Sequence, residues 1–197
     1  MNKLLTNRIK EDFFITLYFN ISAGFEFAGL KRAYLDFNRT LKMVDKDQES
    51  RNRVQAETQN YLKRELELLI VKDIESQEKF DIEHKALCEN LRNKWSELSF
   101  GQAQKWINMT LKYWLLFGND RIQSIEKNSQ YFHIPIDSYV QKGMFEEKNP
   151  KPWSKLDNYH DYFKYQLKQR QKQTGNPPLI DEFIFFNNNK SQINTTG

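Results

Sequence analysis

The sequence predicts an all-α protein. Apolar residues recur at helical spacing along most of its 197 residues, and this period is the main sequence signal for amphipathic helices. No proline occurs in residues 1–134, which favours uninterrupted helices in that part of the chain. No stretch alternates apolar and polar residues for long enough to form a sheet. A chain of this length can bury one sizeable core or two small lobes that share a cleft.

The composition is that of a basic protein rich in aromatic residues. Aromatic side chains make up 14% of the chain, the formal net charge is +4, and the pI is near 9.0. That charge permits nucleic-acid binding without requiring it. The single cysteine, Cys88, excludes an internal disulfide and suits a reducing cytosol. No run of 18 apolar residues and no signal peptide occur, so a cytoplasmic protein outside the membrane is expected.

The first half of the chain, residues 1–97, predicts a set of N-terminal helices. Aromatic and aliphatic residues predict a helix over residues 26–43, with a shorter helix before it. A charged stretch at 45–53 resembles a loop. Residues 54–74 then place leucines at helical spacing among glutamates, lysines and arginines, as a surface helix does.

A further helix is predicted over residues 80–96. Asp81 is a suitable N-cap for it, and Cys88 within it is most simply a small buried side chain. His84 lies near acidic residues and is interpreted as a solvated helix residue. No second histidine, cysteine or carboxylate stands at the spacing of a metal site, so neither a metal nor another cofactor is predicted.

The centre of the chain carries the most apolar helix. A break at residues 98–104, which contains Gly101, is followed by a helix over 105–117 that is apolar almost all round. Lys105 stands in its first turn and Lys112 two turns later. Buried lysines are costly, so both require a partner, a task or an exit to solvent.

The last third begins with a polar stretch at 118–133 that predicts a loop or a short helix. Ile134, Pro135, Ile136 and Asp137 follow, and Asp137 is placed to cap a helix. The remaining predicted elements are a turn at 149–152, helices over 154–173 and 179–186, and a disordered tail over 187–197.

Two of these motifs, the break that leads into the helix of Lys105 and the segment that ends at Asp137, together resemble those of a known protein family. A helix, a short hairpin and a second helix that opens with lysine are followed by Pro-aliphatic-Asp, which resembles the helix-hairpin-helix DNA glycosylase superfamily. Its members combine a glycine-rich hairpin, that lysine and a Val-Pro-Val-Asp motif. Lys105 and Asp137 are 32 positions apart. This long separation is most similar to that of the archaeal 8-oxoguanine DNA glycosylase branch.

The resemblance implies a fold and an activity. The fold would be one domain over 1–186, with two helical lobes around a cleft; 98–145 would hold the hairpin and the aspartate motif, and 150–186 the C-terminal helices. The activity would be removal of an oxidised purine such as 8-oxoguanine from double-stranded DNA. Lys105 would attack the sugar C1′ and form a Schiff base that permits AP-lyase cleavage, and Asp137 would stabilise the developing positive charge.

The resemblance also implies binding residues. The flipped base would contact four side chains: Met109, Lys112, Asp181 and Phe185. Backbone N–H groups of Gly101, Gln102 and Ala103 would hold a DNA phosphate. The enzyme would act as a monomer without a cofactor. The chain departs from the pattern at Ala103, where a second glycine is usual, and at Met109, where a ring is common.

Two other classes of function stay open. One is a helical protein that binds DNA or a modified nucleotide without cleaving it, with a role in bacterial defence as one setting. The other is an unrelated all-α interaction protein that uses the charged segment 44–96 as its partner surface.

Overall fold

The computed structural model describes residues 6–42 and 47–189, and no strand occurs in those ranges. The predicted all-α class is confirmed for that part of the chain. The described α-helices are α1 (Asn7–Tyr18), α2 (Phe25–Leu35), α3 (Gln48–Val71), α4 (Gln77–Lys94), α5 (Phe100–Phe117), α6 (Tyr159–Gln171) and α7 (Pro178–Asn188). Short helical turns occur at Asn38–Thr40, Ser129–Tyr131, Val140–Met144 and Trp153–Lys155. None of the described helices is long and apolar enough to cross a membrane.

Helix α5 runs through the centre of the protein. Of its 18 residues only Leu115 and Leu116 are not buried. Its two indole N–H groups anchor it to α2: Trp106 donates to the Leu30 carbonyl at 3.1 Å, and Trp114 donates to the Glu26 carbonyl at 3.0 Å. These bonds satisfy polar atoms that burial would otherwise penalise.

Several helix boundaries differ from the sequence prediction. Helix α3 begins at Gln48 because the Asp47 carboxylate accepts from the Ser50 N–H at 2.8 Å, so most of the predicted loop at 45–53 is helical. Helix α2 ends at Leu35, well before residue 43. In the predicted tail, Asn187 and Asn188 still belong to α7, and residues 190–197 lie outside the described part.

Two predictions about helix α4 were wrong. Its N-cap is Ser76 rather than Asp81, so Asp81 lies inside the helix. His84, predicted to be solvated, is fully buried, with Nε2 2.8 Å from Oδ1 of Asn108. His133 is buried as well, with Nε2 2.7 Å from the Asp81 carboxylate. Polar partners from other helices therefore replace water around both rings.

These two histidines are expected to make stability depend on pH. Burial lowers the pKa of His84 and of His133, although the Asp81 carboxylate beside His133 acts the other way. Unfolded histidines titrate near pH 6.5. The unfolded state therefore binds more protons below that pH, and the free energy of unfolding should fall from pH 7.5 to 5.5. Each histidine can lower the free energy of unfolding by at most about 1.4 kcal/mol per pH unit. Urea denaturation at several pH values would measure this fall.

The third histidine supplies the control. His160 is exposed on α6, so His160→Gln should leave the slope of stability against pH unchanged. His84→Gln should reduce that slope, whatever it does to the stability itself. Equal slopes in the two variants would contradict the assignment.

Candidate active site

A cleft of about 790 Å³ opens along α5 from Lys105 to Leu116. It lies between the end of α2, α5, residues 137–139 and α7. Its volume is in the range of small-molecule sites. Six aromatic side chains line it: Tyr18, Tyr113, Tyr139, Trp153, Phe183 and Phe186. Such walls suit a flat ligand.

Lys105 and Asp137 meet in this cleft, as predicted. The Lys105 Nζ donates to Oδ2 of Asp137 at 2.5 Å, and Lys105 is 4% exposed. The other oxygen of Asp137 accepts from the Val140 N–H at 2.8 Å, which confirms the predicted capping role. Burial disfavours the ionised Asp137, but the Lys105 ammonium and the Val140 N–H outweigh it, so the pKa of Asp137 lies below its usual value. Its side chain keeps 28% exposure and faces the cleft.

Two glutamines hold the chain that leads to Asp137. Gln104 Nε2 donates to the Ile136 carbonyl at 2.8 Å, and its Oε1 accepts from the Ile136 N–H at 3.1 Å. Gln166 on α6 does the same for Ile134, at 2.9 and 3.1 Å. We call these two contacts the amide clamps. They satisfy both backbone groups of each isoleucine, as a neighbouring strand would, and so fix the approach of Asp137 to Lys105.

The second buried lysine also has a carboxylate partner. Lys112 Nζ lies 2.7 and 2.5 Å from the two oxygens of Glu182. The Phe183 ring centroid is 4.9 Å from Nζ and the Phe186 centroid 5.5 Å. Lys112 and Met109 line the cleft as predicted. Glu182 was not predicted.

The structure does not bring Asp181 and Phe185 to the cleft. The Asp181 carboxylate accepts from Gln169 and Thr174, both at 2.5 Å, away from the cleft. The Phe185 ring packs against Gly143 and Tyr139. Neighbouring positions on a helix differ by about 100° in direction, since 3.6 residues make a turn. The predicted register is therefore one residue early, and Glu182 and Phe186 face the cleft instead.

The predicted phosphate site is contradicted as well. Gly101, Gln102 and Ala103 are buried in the first turn of α5, because the link from α4 spans only residues 95–99. Their N–H groups donate within the protein, to the Leu156 carbonyl, the Ser99 Oγ and the Ser99 carbonyl respectively. Ser99 and Gln102 form a capping box, a signature visible in the sequence as Ser-x-x-Gln. No free amide remains there for a phosphate.

Gly101 has a packing role, which a substitution would expose. A Cβ at this position would lie 1.7 Å from the Trp153 carbonyl oxygen, a backbone atom. Gly101→Ala should therefore destabilise the protein at or above the upper end of the roughly 1–3 kcal/mol range for overpacking, as measured by urea denaturation. Gly143→Ala is the control, since its Cβ would meet only the movable Phe185 ring, at 2.7 Å. An equal or smaller loss for Gly101→Ala would contradict the backbone clash.

The charges that line the cleft balance. Arg39, Lys105 and Lys112 stand against Asp36, Asp137 and Glu182. Asp36 accepts from the Tyr113 hydroxyl at 2.6 Å, and burial together with this carboxylate raises the pKa of Tyr113. A cleft with aromatic walls and paired charges suits a largely neutral planar group better than a polyanion.

Neither a metal site nor a known relative identifies the cleft. Across residues 6–42 and 47–189, no group of three or more histidine, cysteine, aspartate or glutamate side chains could hold a metal ion. Comparison with known protein families, curated proteins and solved structures found no match. The chemistry of the cleft is therefore argued from its own residues.

Proposed function

We propose that this protein is a DNA glycosylase with associated AP-lyase activity that removes an oxidised purine such as 8-oxoguanine. The observation that carries the proposal is the contact between Lys105 and Asp137 at one end of an aromatic cleft. Removal of a lysine from water favours its neutral amine, which is the form that acts as a covalent nucleophile, and a carboxylate in contact with it can take up the proton that the lysine must lose. The protein would take one nucleotide out of duplex DNA and bind it in the cleft. Unstacking and unpairing that nucleotide costs a few kcal/mol.

The proposed reaction has two steps. Asp137 first takes a proton from the Lys105 ammonium, and the resulting amine attacks C1′ of the sugar as the bond from C1′ to the base nitrogen breaks. The base leaves with the bonding electron pair and takes up that proton from Asp137, which becomes a carboxylate again. Asp137, within hydrogen-bond reach of the attacking nitrogen, accepts the proton that the amine loses and stabilises the positive charge at C1′. The sugar ring then opens to the Schiff base. Loss of a C2′ proton expels the 3′ phosphate, and hydrolysis releases Lys105.

The rest of the cleft supports binding of an extruded base. Its aromatic rings offer stacking surfaces. The Lys112–Glu182 pair presents a hydrogen-bond donor and an acceptor side by side, which suits the edge of a purine. Met109, 7% exposed, adds an apolar contact between the two lysines.

Borohydride trapping on duplexes with defined lesions tests the proposal. The reagent reduces the Schiff base to a stable amine and leaves the protein covalently attached to DNA. We expect an adduct with 8-oxoguanine duplexes and none with undamaged DNA. A panel of other damaged bases would define the preference. Binding to every duplex without any adduct would refute lysine-based lyase chemistry.

A second candidate is binding of a modified base or nucleotide without catalysis. The observation in its favour is that both cleft lysines are held by carboxylates, as in a site built to recognise rather than react. The same trapping experiment separates the two functions, because a binding protein would retain affinity for the lesion and form no adduct.

A further inference from the structure

The first turn of α5 cannot bind a phosphate, because the N–H groups of Gly101, Gln102 and Ala103 donate hydrogen bonds within the protein. A protein that extrudes a base must nevertheless hold the flanking sugar-phosphate chain, and cationic side chains supply most of that affinity. The cleft lysines do not meet this need, since each is paired with a carboxylate. Arg39 also lines the cleft and is exposed, and further cations for the DNA backbone lie on the surface beside the cleft.

A groove of about 340 Å³ lies next to the cleft. We call it the basic groove; Ser138, Lys142, Lys148, Asn149, Pro152 and Trp153 are among its lining residues. Its lining includes two lysines and no carboxylate. Lys142 and Lys148 are exposed, and neither forms an ion pair with any residue in the described part of the chain. The nearby Lys151, in contrast, is paired with Asp157 at 3.1 Å.

The basic groove and the cleft adjoin each other. Ser138 and Trp153 line both of them. Ser138 directly follows Asp137, and the Trp153 ring centroid lies 6.0 Å from the Lys105 Nζ. A strand whose base enters the cleft at Lys105 would therefore pass its neighbouring phosphates along the basic groove.

We infer that the basic groove binds the phosphodiester backbone beside the extruded nucleotide, with Lys142 and Lys148 neutralising its phosphates. Trp153 forms the ridge between the charged groove and the aromatic cleft. This assignment rests on the proposed function for the identity of the polyanion as DNA. The contacts are to phosphate, so they carry affinity and no preference for the damaged base.

The salt dependence of DNA binding tests the groove. The double variant Lys142→Ala/Lys148→Ala should bind a labelled duplex with a stable abasic-site analogue more weakly than the wild type. The slope of log affinity against log salt should lose about one for each phosphate contact removed, so about two in total. The weakening should be the same for undamaged duplex. Lys142→Arg/Lys148→Arg should retain the wild-type slope, because the charge remains.

Lys10→Ala/Lys79→Ala is the matched control. These lysines are also exposed and outside any ion pair that the structure describes, but they line neither the cleft nor the groove. The control should keep the wild-type slope. A groove variant that matches it in affinity and slope would overturn the inference, as would a wild-type chain that binds no duplex.

The two proposals can fail separately. A reduced salt slope in the groove variant without any trapped adduct in the wild type would support the groove and refute the enzyme. A trapped adduct together with an unchanged slope would refute the groove and support the enzyme. Circular dichroism melting would confirm that each variant is folded, which their exposed positions lead us to expect.

Discussion

Lys105→Gln is expected to abolish the borohydride-trapped adduct and base excision. Glutamine keeps a hydrogen-bond donor for Asp137 but has no amine that can form a Schiff base. Loss of the covalent nucleophile lowers the rate by about 10⁶-fold in a well-studied serine protease. Trapping and single-turnover excision on a lesion duplex would measure the loss, and binding to the same duplex should be retained.

Lys112→Gln is the control for this prediction. Lys112 lies on the same helix, is similarly buried and also contacts a carboxylate. It lies next to Phe183 and Phe186 rather than beside Asp137. This variant should weaken binding of the lesion and still form an adduct. An adduct that persists in Lys105→Gln and is lost in Lys112→Gln would assign the nucleophile to Lys112 instead.

Asp137→Asn is expected to lower excision by about 10²- to 10⁴-fold, the usual scale for loss of a positioned acid–base group. Asparagine cannot accept the proton of the attacking amine or stabilise positive charge at C1′. It can still accept from the Val140 N–H and so keep the cap. The loss of stability should be about 1–2 kcal/mol, between the values for exposed and buried pairs. Single-turnover kinetics and urea denaturation would measure the two effects.

Asp137→Ala separates the charge from the cap. It should reduce excision about as much as Asp137→Asn, and should cost about 1 kcal/mol more stability because the cap is lost as well. Excision that follows stability across the two variants, rather than loss of the carboxylate, would contradict a chemical role for Asp137.

The sequence predicted the contact between Lys105 and Asp137 because each residue lies in a short, recognisable motif. Lys105 is a cation in a helix that is otherwise apolar, and Asp137 follows a proline that starts a new element, so each stands out locally. Their contact could then be inferred from the order and separation of the two motifs. The residues of α7 that line the cleft were missed by one position, since helix periodicity predicts a stripe without fixing which of two adjacent residues faces inward.

Buried polar residues were the least predictable part of the site. His84, Gln104 and Gln166 resemble solvated residues in the sequence, because polarity alone does not distinguish a protein partner from water. Each instead bonds to an element distant in the chain. The phosphate role of Gly101 failed for a related reason: its small size accommodates the Trp153 backbone rather than a ligand.

The amide clamps have a consequence for how the chain can vary. Gln104 and Gln166 hold the two isoleucines before Asp137. The chain is anchored again further upstream, where Asn128 donates to the Leu69 and Lys72 carbonyls, at 3.1 and 2.9 Å. Two separate anchors therefore lie between the stretch that follows α5 and the contact of Lys105 with Asp137. Ile122 and Ile125 in that stretch are buried, so we expect insertions and deletions to be tolerated only at its exposed positions, where they would leave the contact between Lys105 and Asp137 in place.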